Sequence, residues 1–127
     1  MSMDYKDKEQ QKSSGGFHAF SYACQGIKHA FLNEKNMRIH CTITGIVLLL
    51  GWFVQLTRFE WLFVLFAIGG VIALELMNTA IERLVDLVTA EFHPLAKQAK
   101  DISAGAVFIY SILSVIVGLI IFIPKIF

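Results

Sequence analysis

The chain has 127 residues, of which 56% are hydrophobic, and its mean hydropathy is +0.63. This composition excludes an ordinary soluble domain, and the length suits one small unit, so we expect an all-α integral membrane protein. The formal net charge of only +1 gives no reason to expect a nucleic-acid partner.

The first sixteen residues differ in composition from the rest of the chain. They mix Lys, Asp, Glu and Gln and end in Ser13-Ser14-Gly15-Gly16, which is typical of a disordered segment. They also lack the apolar core and cleavage site of a secretory signal. We therefore expect residues 1–16 to be a disordered cytoplasmic tail and residues 17–127 to form the membrane domain.

An amphipathic pattern begins at Phe17. Apolar side chains recur every three or four residues and would cover one side of a helix; they are Phe17, Phe20, Cys24, Ile27 and Phe31. This pattern predicts an N-terminal helix that lies in the membrane interface. The linker after it places Glu34 at the cytoplasmic surface, where its carboxylate either serves a site or is simply solvated.

Three apolar runs follow, over residues 39–56, 61–81 and 102–123. Each would be about 27 to 33 Å long as a helix, which is enough to span the hydrocarbon layer. Small residues on the second and third runs, including Gly69, Gly70, Ser111, Ser114 and Gly118, allow close helix packing. We expect three transmembrane helices in a bundle or oligomer.

The positive charges predict the orientation in the membrane. All but two of the eleven Lys and Arg residues would lie on one side, and only Arg58 and Lys125 on the other. By the positive-inside rule, the N-terminus and the loop between the second and third spans are cytoplasmic. We expect a multi-pass protein of the cytoplasmic membrane, with a tight outer turn at Thr57–Glu60.

The cytoplasmic loop contains His93-Pro94, which predicts a break with Pro94 in the first turn of the next helix. Lys100 and Asp101 stand where that helix enters the membrane. An alternative to a functional role is a Lys whose stem lies along apolar surface beside a surface Asp.

A polar stripe marks the inner end of the second span. On a helix, Glu75, Asn78, Glu82 and Asp86 fall within roughly 80° of one another. Glu75 follows Trp61 by fourteen positions and so lies roughly 20 Å into the apolar layer. An ionisable group at that depth costs several kcal/mol and normally faces a cavity, a partner or a substrate. The alternative is a structural carboxyl paired within a packed bundle.

These residues suit phosphoryl transfer at an interface. Glu34 and Glu82 would lie at the same membrane boundary, where carboxylate oxygens suit Mg²⁺ and a polyphosphate. Glu75, deeper in the membrane, could accept a proton from a lipid hydroxyl. A water-soluble phosphoryl donor would thus meet a lipid acceptor.

Other known sites find little support in the sequence. The chain contains neither a P-loop motif nor a Gly-rich kinase loop. His18, His29 and His40 recur every eleven residues, about 16 Å apart on a continuous helix. That spacing is too wide for a shared metal ion.

The twelve residues Glu75–Asp86 resemble the E-x-x-N-T-A-I-E-x-x-x-D signature of the small prokaryotic diacylglycerol kinase family. Asn33-Glu34, Glu91-Phe92-His93 and Lys100-Asp101 also fall at that family's spacings. The resemblance covers residues 17–123.

The resemblance implies a homotrimer of three-span subunits with interfacial N-terminal helices, which uses ATP and Mg²⁺. It implies Glu75 as the general base with Asn78 in support, and Glu34 and Glu82 as Mg²⁺ ligands at the ATP site. Further residues are expected at that site, with Lys100 and Asp101 at the nucleotide and Tyr22, Glu91 and His93 helping to hold ATP. Asp86 and Thr79 are expected to support the site, and Lys28 to contact the lipid beside Glu75.

The string Lys100–Val107 resembles the Gram-positive branch of the family, whose members phosphorylate undecaprenol. We therefore expect ATP-dependent phosphorylation of a lipid alcohol, with undecaprenol preferred and diacylglycerol as the alternative. A non-enzymatic oligomer or proton conductor is the alternative of another class. It is disfavoured because residues 61–74 carry no polar stripe that would continue a path across the membrane.

Overall fold

The computed structural model describes residues 15–127, so the predicted disordered tail, residues 1–16, lies almost wholly outside the described range. The described chain is helical, with short connections and no strand. Its helices are α1 (Gly15–Asn33), α2 (Lys35–Phe53), α3 (Arg58–Val88) and α4 (Pro94–Ile126). The chain divides into two compact units between Asn33 and Glu34, with α1 in the first and the other three helices in the second.

Helix α1 spans the predicted amphipathic segment. Its apolar residues Phe17 and Phe20 are largely exposed. Asn33 closes the last turn by donating from Nδ2 to the carbonyl oxygen of His29 at 2.8 Å. The interfacial location of this helix remains a prediction.

Helices α2, α3 and α4 are each long and apolar enough to cross a membrane, which confirms the predicted all-helical, three-span architecture. Their 19, 31 and 33 residues correspond to about 28, 46 and 50 Å. A hydrocarbon layer is about 30 Å thick, so α3 and α4 are longer than the layer. Both the C-terminal turns of α3 and the N-terminal turns of α4 carry charged residues.

The connection between α2 and α3 is a tight turn over residues 54–57. The Leu56 amide donates to the Gly51 carbonyl at 3.1 Å, and Gln55 has a positive φ of 57°. Thr57 caps α3 reciprocally with Glu60, with side-chain to backbone distances of 3.3 and 3.0 Å. The turn therefore precedes the predicted Thr57–Glu60 segment, because Thr57 and Glu60 form the capping box that starts α3.

The C-terminal end of α4 is tied to this turn. Lys125 Nζ lies 2.9 Å from Glu60 Oε2 and 3.3 Å from the Gln55 carbonyl oxygen. Beside these polar contacts, Leu56, Val64 and Phe122 form the buried apolar cluster of this end of the bundle. The cluster and the ion pair together join all three helices of the second unit.

Helix α3 packs against both α2 and α4, and small residues permit the close approach to α4. A Cβ on Gly70 would overlap the Tyr110 ring, so only glycine leaves room for that ring. The Tyr110 hydroxyl donates to the Phe66 carbonyl at 2.8 Å. Ser114 Oγ donates to the carbonyls of Tyr110 at 2.9 Å and Ala67 at 3.4 Å.

The loop between α3 and α4 is short and ends as the sequence predicts. His93 is the N-cap residue, and its Nδ1 accepts a hydrogen bond from the Leu95 amide at 3.1 Å. Pro94 occupies the first turn of α4, where its missing N–H costs no helical hydrogen bond.

Candidate functional site

The polar stripe of α3 is mostly buried. Glu75, Asn78 and Thr79 are each less than a tenth exposed, Glu82 is half-buried and Asp86 is exposed. Exposure thus increases from Glu75 toward the C-terminal end of α3. The predicted grouping of these side chains on one helix face therefore includes a buried part, at Glu75, and an accessible part, at Asp86.

His40 is the side chain that the structure places against the Glu75 carboxylate. Its Nε2 lies 3.7 Å from Glu75 Oε2, and the two side chains are 22% and 5% exposed, respectively. Helices α2 and α3 run in opposite directions, and His40 follows Glu34 by six residues while Glu75 precedes Glu82 by seven. His40 and Glu75 therefore lie about 9 to 10 Å along their helices from Glu34 and Glu82, the predicted boundary residues. This places the two side chains at the same depth in the bundle.

Asn78 lies between the buried and accessible parts of the stripe. Its Nδ2 donates to Glu82 Oε1 at 3.4 Å. The Oδ1 atom of Asn78 and the Oγ1 atom of Thr79 are buried and have no hydrogen-bond partner within the described residues. Buried polar atoms are nearly always satisfied in proteins, so these two atoms are available to a group that enters the site.

Glu34 joins the site from the start of α2. It is the N-cap residue of that helix, and its Oε1 accepts a hydrogen bond from Arg83 Nη2 at 3.1 Å. Both Glu34 and Glu82 act electrostatically on Glu75. The fold therefore places near one another three carboxylates that the sequence separates by up to 48 positions, 82 minus 34.

A second cluster of charges lies where the C-terminal end of α3 meets the N-terminal end of α4. Lys100 Nζ lies 2.6 Å from Asp86 Oδ1, and Lys97 Nζ lies 2.5 Å from Asp101 Oδ2. Glu82 also acts electrostatically on Lys100. The predicted nucleotide residues Lys100 and Asp101 are thus beside the stripe of α3, each already paired within the chain.

The remaining predicted nucleotide and lipid residues lie in other elements. Glu91 and His93 are in the loop before α4, where the Glu91 amide donates to Thr89 Oγ1 at 3.2 Å and His93 caps the helix. Tyr22 and Lys28 lie on α1, in the first compact unit. Their roles stay predictions.

The donor set around Glu75 suits a divalent cation supplied together with a phosphate ligand. Among the described residues, no three His, Cys, Asp or Glu side chains are arranged as a protein-only metal site. Mg²⁺ usually binds one or two protein carboxylates and completes its shell with water and substrate phosphates. Glu34 and Glu82 supply that number of hard oxygen ligands, so the residues present fit the ion.

An apolar cavity of about 380 Å³ lies between α2, α3 and α4. Its walls are mainly aliphatic, with the few polar side chains His40, Thr44, Ser111 and Ser114. His40 lies nearest the N-terminus of α2 among the lining residues, and Val71 is one turn from Glu75 on α3. The cavity therefore approaches the His40–Glu75 pair from the apolar side.

Comparison with known proteins identifies the family. The model for the prokaryotic diacylglycerol kinases matches residues 21–122. The chain belongs to this family. It is 44% identical over 123 residues to an undecaprenol kinase of Bacillus subtilis, covering 97% of this chain and 99% of that protein.

Other relatives are named for a different lipid substrate. A diacylglycerol kinase of Synechocystis is 42% identical over 104 residues, covering 79% of this chain and 58% of that protein. A diacylglycerol kinase of Haemophilus influenzae is 39% identical over 88 residues, covering 69% of this chain and 75% of that protein. These similarities confirm the family inferred from Glu75–Asp86 and make the chain a lipid kinase.

His40 is the site residue that sequence reasoning missed. The spacing of the three histidines drew attention only to a shared metal ion, which that spacing excludes. The useful signal was the position of His40 inside the first apolar run, six residues after Glu34. An ionisable side chain inside a membrane helix usually has a partner or a function.

Proposed function

We propose that the chain phosphorylates undecaprenol with ATP at the cytoplasmic face of the bacterial cytoplasmic membrane. The observation that carries the choice of lipid is the nearly full-length similarity to an undecaprenol kinase, over 97% of this chain and 99% of the relative. The placement of Glu75 supports it, since a carboxylate buried beside an apolar cavity can meet a hydroxyl at the end of a hydrocarbon chain.

The reaction is a direct in-line transfer. The lipid oxygen forms a bond to the γ-phosphorus of ATP while the bond from that phosphorus to the β,γ-bridging oxygen breaks, and its electron pair leaves with ADP. Glu75 accepts the hydroxyl proton as the lipid oxygen attacks. Asn78, hydrogen-bonded to Glu82, supports the base and offers its unsatisfied Oδ1 to an entering group.

The residues around Glu75 would also hold the metal and the phosphates. Glu34 and Glu82 would bind Mg²⁺, which supplies charge neutralisation to the polyphosphate when bound. Lys100, on which Glu82 acts electrostatically, would offset phosphate charge by leaving Asp86. Asp101, Tyr22, Glu91 and His93 would complete the nucleotide site.

The acceptor side of the site favours a lipid with a single polar group. Diacylglycerol carries ester carbonyls beside its hydroxyl, and a site built for it gains by donating hydrogen bonds to them. The cavity beside His40 has few polar side chains among mainly aliphatic walls. Apolar pockets reject an added polar group only weakly, so residual activity on diacylglycerol is expected, as the diacylglycerol kinases among the relatives also suggest.

We also propose the assembly and orientation that the family resemblance implies. Three copies would form a homotrimer, with the N-terminus and the loop before α4 in the cytoplasm. The orientation is supported by the position of Glu34, Arg83, Lys97 and Lys100 at one end of the bundle and Lys125 at the other. Lys28 on α1 would contact the lipid headgroup from the interface.

The test is a phosphorylation assay with the purified full chain in mixed micelles. Labelled ATP and Mg²⁺ are supplied with undecaprenol or diacylglycerol at matched mole fraction, and kcat/KM is measured for each. The proposal expects a higher kcat/KM for undecaprenol. A clear preference for diacylglycerol would overturn the choice of lipid, and failure to transfer phosphate to any lipid alcohol would overturn the proposed function.

A further inference from the structure

Glu75 is a carboxylate in an apolar environment, and an unpaired charge there is unfavourable. Its side chain is 5% exposed, and an isolated buried carboxylate tends to take up a proton rather than stay charged. A protonated carboxyl cannot act as a base. The proposed reaction therefore needs a group that stabilises the charged form of Glu75.

The surrounding charges narrow the candidates for that group. Glu82 on α3 and Glu34 before α2 act electrostatically on Glu75 but are themselves carboxylates. From α4, the ionisable side chains near this end are Lys97, Lys100 and Asp101, of which the lysines pair with Asp101 and Asp86. His40 on α2 is the cation-forming side chain within 4 Å of the carboxylate in the described part of the chain.

We propose that His40 is a positioning residue for the general base: its ring lies against Glu75 Oε2, favours the charged form of the carboxylate and leaves Oε1 for the lipid hydroxyl. The inference rests on the proposed role of Glu75. His40 does not contact the reacting atoms, and it acts on the reaction through the carboxylate. His40 also lines the apolar cavity between the helices, so the pair stands where the cavity meets the polar stripe.

The location of His40 also explains why histidine suits this position. Its side chain is 22% exposed against 5% for Glu75, so the ring lies nearer the surface of the packed helices than the carboxylate. A protonated imidazole places a positive charge beside Glu75, which the neighbouring carboxylates cannot do.

The test compares the pH profile of kcat for the full chain and three variants in mixed micelles. In His40→Gln, the positive charge is lost while size and polarity are similar. We expect kcat at pH 7 to fall roughly 10-fold and the acidic limb of the profile to move to higher pH, because the unpaired carboxylate holds its proton more tightly. The KM for ATP should stay within about twofold, since the pair does not touch the nucleotide.

The other two variants separate charge from structure. His40→Arg keeps a cation, so its acidic limb should stay at the wild-type pH even where the larger side chain lowers kcat. Cys41→Ala, at the next position of α2, should keep both kcat and the profile. If His40→Gln does not fold, as judged by loss of ATP binding, the pH profile of His40→Arg decides whether a cation at this position keeps the acidic limb at the wild-type pH.

Two outcomes would overturn the positioning role. One is a wild-type kcat and pH profile in His40→Gln, and the other is an equal upward displacement of the acidic limb in His40→Arg and His40→Gln. Glu75→Gln is assayed in parallel. If it keeps wild-type turnover, the proposed function of Glu75 fails as well, whereas an inactive Glu75→Gln with a normal His40→Gln rejects only the role of His40.

Discussion

Individual side chains at this site are distinguished by their partners more than by their types. Glu75 faces a histidine, Glu82 an asparagine, Glu34 an arginine and Asp86 a lysine. A carboxylate paired with a mobile arginine or lysine can exchange that partner for a metal ion or a phosphate. Glu75 has the most buried of these carboxylates, which suits a group that handles a proton.

The proposed base gives the first prediction. Glu75→Gln keeps the size and hydrogen-bonding capacity of the side chain but cannot accept a proton, so turnover should fall roughly 10²-fold to 10⁴-fold. Binding of ATP should persist, because the carboxylate is proposed to face the lipid hydroxyl. The measurements are single-turnover phosphorylation and nucleotide binding on the same preparation. Near-normal turnover would reject the role.

The proposed metal ligands give the second prediction. Glu34→Gln and Glu82→Gln should each raise the Mg²⁺ concentration needed for half-maximal rate, because an amide oxygen is a weaker ligand for Mg²⁺ than a carboxylate. Glu60→Gln is the matched control, since Glu60 pairs with Lys125 at the opposite end of the bundle. An unchanged Mg²⁺ titration in both variants would count against the two ligands.

At the scale of elements, the bundle is joined at its two ends by polar contacts and in between by close packing of α3 and α4. Gly70 leaves room for the Tyr110 ring, and the tyrosine hydroxyl donates to the Phe66 carbonyl. In lipid, burial of apolar surface does not drive helices together. Close packing and hydrogen bonds of this kind therefore stabilise the association of the helices.

The third prediction tests this contact. Gly70→Ala would place a methyl group within the Tyr110 ring, forcing the ring away and breaking its hydrogen bond. We expect a loss of about 1 to 3 kcal/mol in the free energy of unfolding, measured by denaturant titration in detergent micelles. Gly45→Ala on α2 is the control, since its Cβ would meet nothing within 4 Å. Equal stability of the two variants would contradict the packing.

The turn between α2 and α3 gives the fourth prediction. Gln55 has φ of 57°, a conformation that glycine adopts without steric cost. The contact from Lys125 is to the Gln55 backbone carbonyl, so it survives a change of side chain. Gln55→Gly should therefore raise the free energy of unfolding by about 0.5 to 1 kcal/mol, measured in the same titration. A destabilised variant would show that the Gln55 side chain contributes more than the backbone strain costs.

The elements and the local part of the site could be predicted from the sequence because they depend on neighbours along the chain. Apolar runs predict the spans, His93-Pro94 predicts the start of α4, and helical periodicity places Glu75, Asn78 and Glu82 on one face. The pairs that complete the site join distant residues, since Glu34 and Arg83 are 49 positions apart and Lys100 and Asp86 are 14 apart. Such pairs depend on how the helices pack, which periodicity does not encode.

At the scale of the whole molecule, one chain leaves much of its apolar surface uncovered. Large hydrophobic side chains are exposed along α2, α3 and α4, as expected where they face lipid or further copies of the chain. Gly69, Gly105 and Gly118 meet nothing within 4 Å in a single subunit. Small residues on open helix surfaces permit close contact with another helix, so the surface is compatible with the trimer that the family resemblance implies.

The fifth prediction is that the active form contains three subunits. If the charged pairs of one chain open to admit ATP, neighbouring subunits can supply the groups that replace them, and activity should then require the assembly. Crosslinking and native mass measurement in mild detergent should show a trimer. Dilution into conditions that dissociate the trimer should reduce turnover in proportion to the loss of trimer.

Mixing Glu75→Gln subunits with Glu34→Gln subunits tests whether sites are shared between chains. Recovery of activity in the mixture requires that one site draws residues from two chains. A fully active monomer would contradict the assembly while leaving the chemistry of Glu75 intact.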